Sequence, residues 1–321
     1  VNTVKTRCPA KVNLTFEILG TLPDGYHEVR TLMQSVSLED ELTFHFSPGD
    51  GDVSFQSVDS KFGEQFPADK SNLIVRAIEK FQQTVPESKS NNVAVQIIKR
   101  IPIGAGLAGG SANAAAAIVA INHYHNDALS LEEIMKIGAS LGADIPFCIK
   151  GGTCVGSHKG DVLAPSGRGM NLVLLLAKPH ALSISTPWAF KEFDQGQSSD
   201  QARSSVDFTE HCADVLKCGT LAAELTPHLV NDLERVVFRH YNELEIVRQK
   251  LEEFGALGAR LTGSGPTLYG LFSSRAEAEA ARKRLNHFQE ALSENDSSSN
   301  AIYPFDSWIA ESIEHGARVV D

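Results

Sequence analysis

The chain has 321 residues, 42% of them hydrophobic, and a formal net charge of −11. That hydrophobic share is enough for packed cores and too much for general disorder, and at roughly 150 residues per domain the length suggests two domains. The negative charge argues against nucleic acid as a partner, because such binding needs a broad basic surface, but it leaves room for a single nucleotide held in a local pocket of donors.

Val12–Leu19 is rich in apolar and β-branched residues and ends in Gly20 and the turn cluster Pro23-Asp24-Gly25, which predicts a strand and a turn. Glu41–Ser47 alternates apolar with polar residues, as a half-buried strand does. Asp50–Asp69 is polar and reads as a loop or an edge strand. Leu73, Ile74, Ala77, Ile78 and Phe81 recur at helical spacing over Asn72–Gln82, and Val93–Ile98 reads as a strand. A glycine-rich run over Pro102–Ser111 opens an alanine-rich helix from about Ser111 to Tyr124. Ser130–Gly142 is a further predicted helix, with Ser130 and Glu133 spaced as a capping box and Gly142 placed to end it. The continuous apolar run Asn171–Ala177 predicts a buried strand opening the second domain. Asp194–Asp207 is polar, low in complexity and read as a loop. Helices are expected over Asn231–Arg239 and Glu243–Phe254, a strand–turn–strand over Gly258–Phe272, a charged helix over Arg275–Gln289, a polar loop over Ser293–Asn300 and a last strand over Trp308–Ile313.

No run of about 18 apolar residues predicts a transmembrane helix, and residues 1–8 carry no apolar signal core, so a cytoplasmic protein without a membrane partner is expected. Cys8, Cys148, Cys154, Cys212 and Cys218 are odd in number and show neither C-x-x-C spacing nor clustered histidines. They read as reduced thiols, each buried as a small hydrophobe.

The run Ile101-Pro102-Ile103-Gly104-Ala105-Gly106-Leu107-Ala108-Gly109-Gly110-Ser111 has the physics of an anion site. Glycines allow tight turns and close approach, and the following helix presents unpaired N–H groups at the positive end of its dipole. Gly104, Gly106 and Gly109 match G-x-G-x-x-G, the pattern of a dinucleotide site. That pattern wants an apolar strand running straight into the first glycine, whereas Lys99, Arg100 and Pro102 intervene here. A Walker A loop is excluded because Gly110 stands where its lysine would be.

Four other clusters stand out: Pro9-Ala10-Lys11-Val12-Asn13-Leu14, Asp24-Gly25-Tyr26-His27, Gly142-Ala143-Asp144-Ile145-Pro146-Phe147 and Leu261-Thr262-Gly263-Ser264-Gly265-Pro266. A lysine just inside an apolar strand is costly unless paired, and a carboxylate between apolar neighbours needs a cation, so Lys11 and Asp144 are natural partners. Tyr26 offers a flat stacking face and His27 a hydrogen-bonding ring.

Together these motifs resemble those of the GHMP kinases, from about residue 6 to 272. The D-G-Y-H turn resembles the branch that phosphorylates 4-diphosphocytidyl-2-C-methyl-D-erythritol. The resemblance implies an α/β (α+β) fold in two domains: a ribosomal protein S5 domain 2-like domain over 1–165 and a ferredoxin-like domain over 166–321, with the extreme C-terminus returning to the first. It implies ATP and Mg²⁺ as cofactors, with metal ligands unassigned, and a cytidine diphosphate-linked small molecule as acceptor. Asp144 would take the proton from the acceptor's 2-hydroxyl, and Lys11 would orient both. Pro102, Gly104, Gly106, Leu107, Gly109, Gly110, Ser111, Gly263, Ser264 and Gly265 would surround the phosphates, Asn72 and Leu73 the adenine, and Lys99 is a further candidate phosphate contact. Asn13, Tyr26, His27, Pro187 and Phe190 would bind the acceptor, with Phe190 closing on the cytosine opposite Tyr26. The sequence departs from the pattern at Ala108 and Ala112; the first is tolerable only if its φ is negative. Monomer and homodimer both remain open. Two other readings are another GHMP kinase, acting on homoserine, a sugar or mevalonate, and a nicotinamide-dependent oxidoreductase built on the G-x-G-x-x-G match.

Overall fold

Two long strands organise the first half of the chain: β1 (Thr3–Thr21) and β2 (His27–Pro48), joined by the Pro23-Asp24-Gly25 turn and paired antiparallel along most of their length. The computed structural model describes residues 2–60, 66–67, 69–166, 171–180, 182–196, 207–219, 222–294 and 304–320. In β1, Cys8, Ala10, Val12 and Leu14 enter the main core. The intervening Lys11, Asn13, Thr15 and Glu17 are polar yet also buried, because the second half of the protein covers that face. Strand alternation thus gives β1 one apolar face and one polar, functional face.

After β2 come the strand β3 (Val53–Ser60), helix α1 (Leu73–Thr84), β4 (Asn91–Lys99), helices α2 (Gly109–Tyr124), α3 (Leu131–Ala139) and α4 (Ile145–Lys150), and the strands β5 (Thr153–Ser157) and β6 (Val162–Pro165). The polar 50–69 stretch therefore contains a real edge strand, parallel to β4. Asn72 caps α1, accepting a hydrogen bond from the Ile74 N–H at 2.8 Å. The Ser130–Glu133 capping box opens α3, which ends at Ala139 rather than at Gly142. The alanines of α2 are explained by burial on every side: Ala112, Ala114 to Ala117 and Ala120 are all fully buried, and small side chains let the sheet, α1 and α4 approach closely.

The second half supplies β7 (Val173–Pro179), α5 (Thr186–Gly196), α6 (Phe208–Cys218), β8 (Val230–Asn231), α7 (Glu234–His240), α8 (Asn242–Glu253), β9 (Gly258–Leu261), β10 (Leu268–Phe272), α9 (Arg275–Glu294), β11 (Phe305–Glu311) and β12 (Arg318–Val320). Strands β11-β7-β10-β9 form a four-stranded antiparallel sheet. The unbroken apolar run in β7 has a simple cause. Leu175 and Ala177 pack into the core shared with α8 and α9, and Leu174 and Leu176 pack into the core of the first sheet, so both faces are covered. The first sheet runs β12-β1-β2-β4-β3, with β5 also on β2, β6 on β5 and β8 on β1. The expected last strand is β11; it is followed by β12, which returns to pair with β1.

Of the loop expected over 194–207, residues 194–196 end α5 and Asp207 caps α6; 197–206 lie outside the described residues. Of 293–300, residues 293 and 294 belong to α9 and the rest lie outside. Four cysteines are buried and Cys218 is exposed, contrary to the expectation that all five are buried; all are free thiols. Burial pushes the Cys8 and Cys148 thiols well up and that of Cys212 to about 12, so these groups stay protonated.

Candidate active site

The motifs converge on one cleft of about 1100 Å³ between the two halves. Its floor includes Lys11 and Phe16 of β1. Lys11 is almost fully buried, with Nζ 2.7 Å from Asn13 Oδ1 and 3.6 Å from Asp144 Oδ1. Asp144 sits at the N-cap position of α4, but its side chain makes no capping bond and is 39% exposed, so it is free to face the cleft. Asn13 lies beneath: its amide accepts from Lys11 and donates to Thr31 Oγ1 at 2.7 Å, which holds the lysine and keeps Asn13 itself off the cleft lining.

One wall is the glycine run. Pro102, Gly104, Gly106, Gly109, Gly110 and Ser111 line the cleft. Leu107 points into the core, and its carbonyl accepts the Lys11 N–H at 3.2 Å, tying the run to β1. Helix α2 begins at Gly109, so Ser111 lies in its first turn rather than capping it. The N-cap position falls to Ala108, with φ +57° and ψ +28°. The expectation of a negative φ there is wrong: the turn into α2 demands left-handed backbone, which costs an alanine roughly 1–2 kcal/mol. Gly106, at φ +75°, is required sterically as well. A methyl group there would stand 2.5 Å from the Thr262 carbonyl oxygen.

The loop between β9 and β10 abuts the run, the Thr267 N–H donating to the Ala105 carbonyl at 3.3 Å. Gly263 and Ser264 line the cleft, and a methyl group on Gly263 would stand 3.4 Å from Asn13 Oδ1 and 3.8 Å from Lys11 Nζ. Gly265 lies behind them against Leu261. Thr262 Oγ1 accepts the Asn13 N–H at 3.0 Å, and Ser264 Oγ is 2.9 Å from Thr186 Oγ1. At the far ends, Asn72 and Leu73 line one extremity, the Asn72 amide being spent on the α1 cap and on the Pro67 carbonyl. Tyr26, His27, Pro187 and Phe190 line the other. Phe190 stacks on His27, with centroids 4.5 Å apart and planes at 19°, while His27 Nε2 meets Asp194 Oδ1 at 2.8 Å. Tyr26 is 62% exposed, its ring covered by the Lys159 ammonium at 4.0 Å. Lys99 also lines the cleft, but its ammonium is ion-paired with Asp40.

Further side chains brace these walls, from a stretch whose Asn-Asp-Leu-Glu sequence itself resembles a family marker of the second domain. Asn231 donates from Nδ2 to the Leu261 and Gly263 carbonyls, both at 2.8 Å. Asp232 Oδ2 accepts the Ile18 N–H at 2.7 Å, and Glu234 Oε1 accepts the Leu261 N–H at 2.7 Å. The Asn-Asp-Leu-Glu stretch is thus a clasp between β1 and the second glycine loop. Burial pushes the Glu234 carboxyl up to about 7. Lys159 was missed because nothing at its position marks it; only the fold brings it over Tyr26.

The GHMP kinase N-terminal domain model matches residues 72–152 and the GHMP kinase C-terminal model matches residues 217–291. A 4-diphosphocytidyl-2-C-methyl-D-erythritol kinase of Acaryochloris marina is 39% identical over 90% of this chain and 93% of its own. The chain belongs to that kinase family. A namesake from a Nostoc species is 33% identical over 98% of both chains. The crystal structure of a 4-(cytidine 5'-diphospho)-2C-methyl-D-erythritol kinase superposes with a TM-score of 0.73 at 25% identity, covering 96% of this chain and 98% of that one. A homoserine kinase from Cytophaga hutchinsonii superposes with a TM-score of 0.79 at 18% identity, covering 100% of this chain and 98% of that one, which speaks for the shared fold alone. The family is one of ATP-dependent kinases with the two-domain GHMP fold, and membership overturns the oxidoreductase reading of G-x-G-x-x-G. The strand entering the run, β4, is antiparallel to β2, and the run follows the last strand of the β3-α1-β4 unit rather than its first. No helix among the described residues is long and apolar enough to cross a membrane.

Proposed function

We propose that this chain transfers the γ-phosphoryl group of ATP to the 2-hydroxyl of 4-diphosphocytidyl-2-C-methyl-D-erythritol. The observation that carries the reading is the Lys11–Asp144 pair, 3.6 Å apart, standing between two glycine loops whose N–H groups suit phosphate and within the same cleft as the His27–Phe190 stack. Phosphoryl transfer asks mainly for positioning and charge stabilisation, and the cleft offers both.

In this reading the first turn of α2 and the Gly263–Ser264 loop hold the phosphates, Asn72 and Leu73 flank the adenine, and the base of the acceptor lies by Tyr26, His27, Pro187 and Phe190. Asp144 accepts the proton of the attacking hydroxyl. Lys11, fixed by Asn13, faces the negative charge that develops on that oxygen. For Mg²⁺, no cluster of three or more His, Cys, Asp or Glu occurs among the described residues. That fits an ion which takes one or two protein oxygens and completes its shell with phosphates and water. Asp144 and Ser111 are the cleft oxygens suited to it, and the ion would neutralise phosphate charge there. ADP release measured over a panel of acceptors tests the proposal. Turnover is expected with the cytidyl substrate, and turnover with homoserine, mevalonate or galactose instead would contradict it.

A further inference from the structure

Both stems of the glycine run converge on a carboxylate that no motif marks. Asp40 lies in β2, opposite Cys8 of β1, and is fully buried. Its Oδ1 accepts the N–H groups of Arg100 at 2.7 Å and Ile101 at 2.8 Å, the two residues before Pro102. Its Oδ2 accepts Asn113 Nδ2 at 2.7 Å, from the far side of the run in α2, and is ion-paired with Lys99 Nζ. Lys99 Nζ in turn stands against the first turn of α2, where a methyl group on Gly109 would come within 2.9 Å of it. The neighbouring Cys8 thiol, pushed up by burial and by the Asp40 charge, stays protonated and adds no second anion.

A buried carboxylate persists only when its lone pairs are satisfied, and here four donors satisfy it. Two come from the entry to the loop, one from its exit, and one is the cation beside the cradle. A glycine-rich loop has much conformational freedom to lose, and freedom lost on binding weakens binding. We infer that Asp40 is a positioning residue for the nucleotide, clamping both stems of the glycine run and holding Lys99 against the first turn of α2. The cradle is then formed before ATP arrives. The inference rests on reading this cleft as the ATP site.

The test is Asp40→Asn, which keeps the shape but turns one acceptor oxygen into a donor, so that two of the four donors lose their partner. The dissociation constant of a non-hydrolysable ATP analogue and the KM for ATP are expected to rise about tenfold or more, the size of one lost charged hydrogen bond. The KM for the acceptor should stay within about twofold, and amide hydrogen exchange over residues 100–112 should accelerate. Asn113→Ala releases one stem alone and should shift ATP binding the same way by less. The double variant should fall short of the sum of the two, because both act on one clamp. A folded Asp40→Asn protein that binds the analogue like the wild type overturns the inference. So does one in which both KM values and kcat worsen together, as a merely structural role would give. Should Asp40→Asn not fold, Asn113→Ala decides, and unchanged analogue affinity overturns the clamp. Wild-type protein that fails to bind the analogue sinks the ATP-site reading, and the clamp with it.

Discussion

Replacing Lys11 by Met probes the floor of the cleft. The substitution removes the ammonium and keeps most of the buried side-chain volume. Nζ lies 3.6 Å from Asp144 Oδ1, and Lys11 is almost fully buried while the Asp144 side chain is 39% exposed. Two unit charges about 4 Å apart attract by about 4 kcal/mol at the effective dielectric usual near protein surfaces. Solvent access on the Asp144 side reduces that to about 2 kcal/mol. A negative charge developing on the acceptor oxygen beside Asp144 would feel the lysine at a comparable distance. Each 1.36 kcal/mol is tenfold in rate, so kcat should fall roughly 30-fold. The KM for ATP should barely change, since the proposed phosphate contacts are backbone N–H groups rather than Lys11. Steady-state ADP release at saturating acceptor measures both. Wild-type kcat in the variant would refute the reasoning, as would a loss carried by the KM for ATP.

Three further outcomes are expected. Ala108→Gly relieves left-handed strain of roughly 1–2 kcal/mol but adds freedom to the unfolded chain, leaving about 0.5–1 kcal/mol of net stabilisation; a lower melting temperature would show that the φ of +57° is not strained. Phe190→Ala removes the stack on His27, worth about 0.5–1.5 kcal/mol beyond area, so the KM for the cytidyl acceptor should rise about 2–10-fold with that for ATP unmoved. An equal rise in both would count against a base-binding role. Glu234, with its folded pKa raised from 4.5 to about 7, binds a proton in the folded state that the unfolded state releases earlier. Its contribution to stability is therefore full below about pH 4.5 and declines as pH rises through about 7, by on the order of 3 kcal/mol. Urea midpoints for Glu234→Gln minus wild type should diverge in favour of the variant across that window, and a constant difference would contradict the burial argument.

The sequence made the elements of the site more legible than the bracing behind them. Lys11, Asp144 and the glycine run were visible because their residue types are expensive without a purpose: a lysine in an apolar strand, a carboxylate among apolar neighbours, many adjacent glycines. Asp40 was invisible because Leu38-Glu39-Asp40-Glu41 reads as charge on a strand, and only the meeting of β2 with both stems of the glycine run makes it a fully buried hub. The polar residues Thr15 and Glu17 were likewise unreadable. They are buried because α6 covers them, Thr15 Oγ1 meeting Thr209 Oγ1 at 2.6 Å and Glu17 Oε2 accepting the Thr209 N–H at 2.9 Å. Local pattern located helices well where one face is apolar, as in α1. It misplaced the start of α2, where glycine enters the helix and burial on all sides erases the period. Nor does sequence spacing reveal Asp194, one helical turn beyond Phe190, which holds His27 over α5.

The central claim is that Asp144, poised by Lys11, takes the proton of the acceptor hydroxyl in a cleft that also holds ATP. Single-turnover transfer from labelled ATP to the cytidyl substrate in Asp144→Asn, with calorimetric binding of an ATP analogue measured alongside, tests it most directly. Transfer should fall by about 10²–10⁴-fold, the usual worth of a positioned general base, while analogue affinity stays close to that of the wild type. Transfer at the wild-type rate, or a loss explained by lost nucleotide binding, would contradict the account.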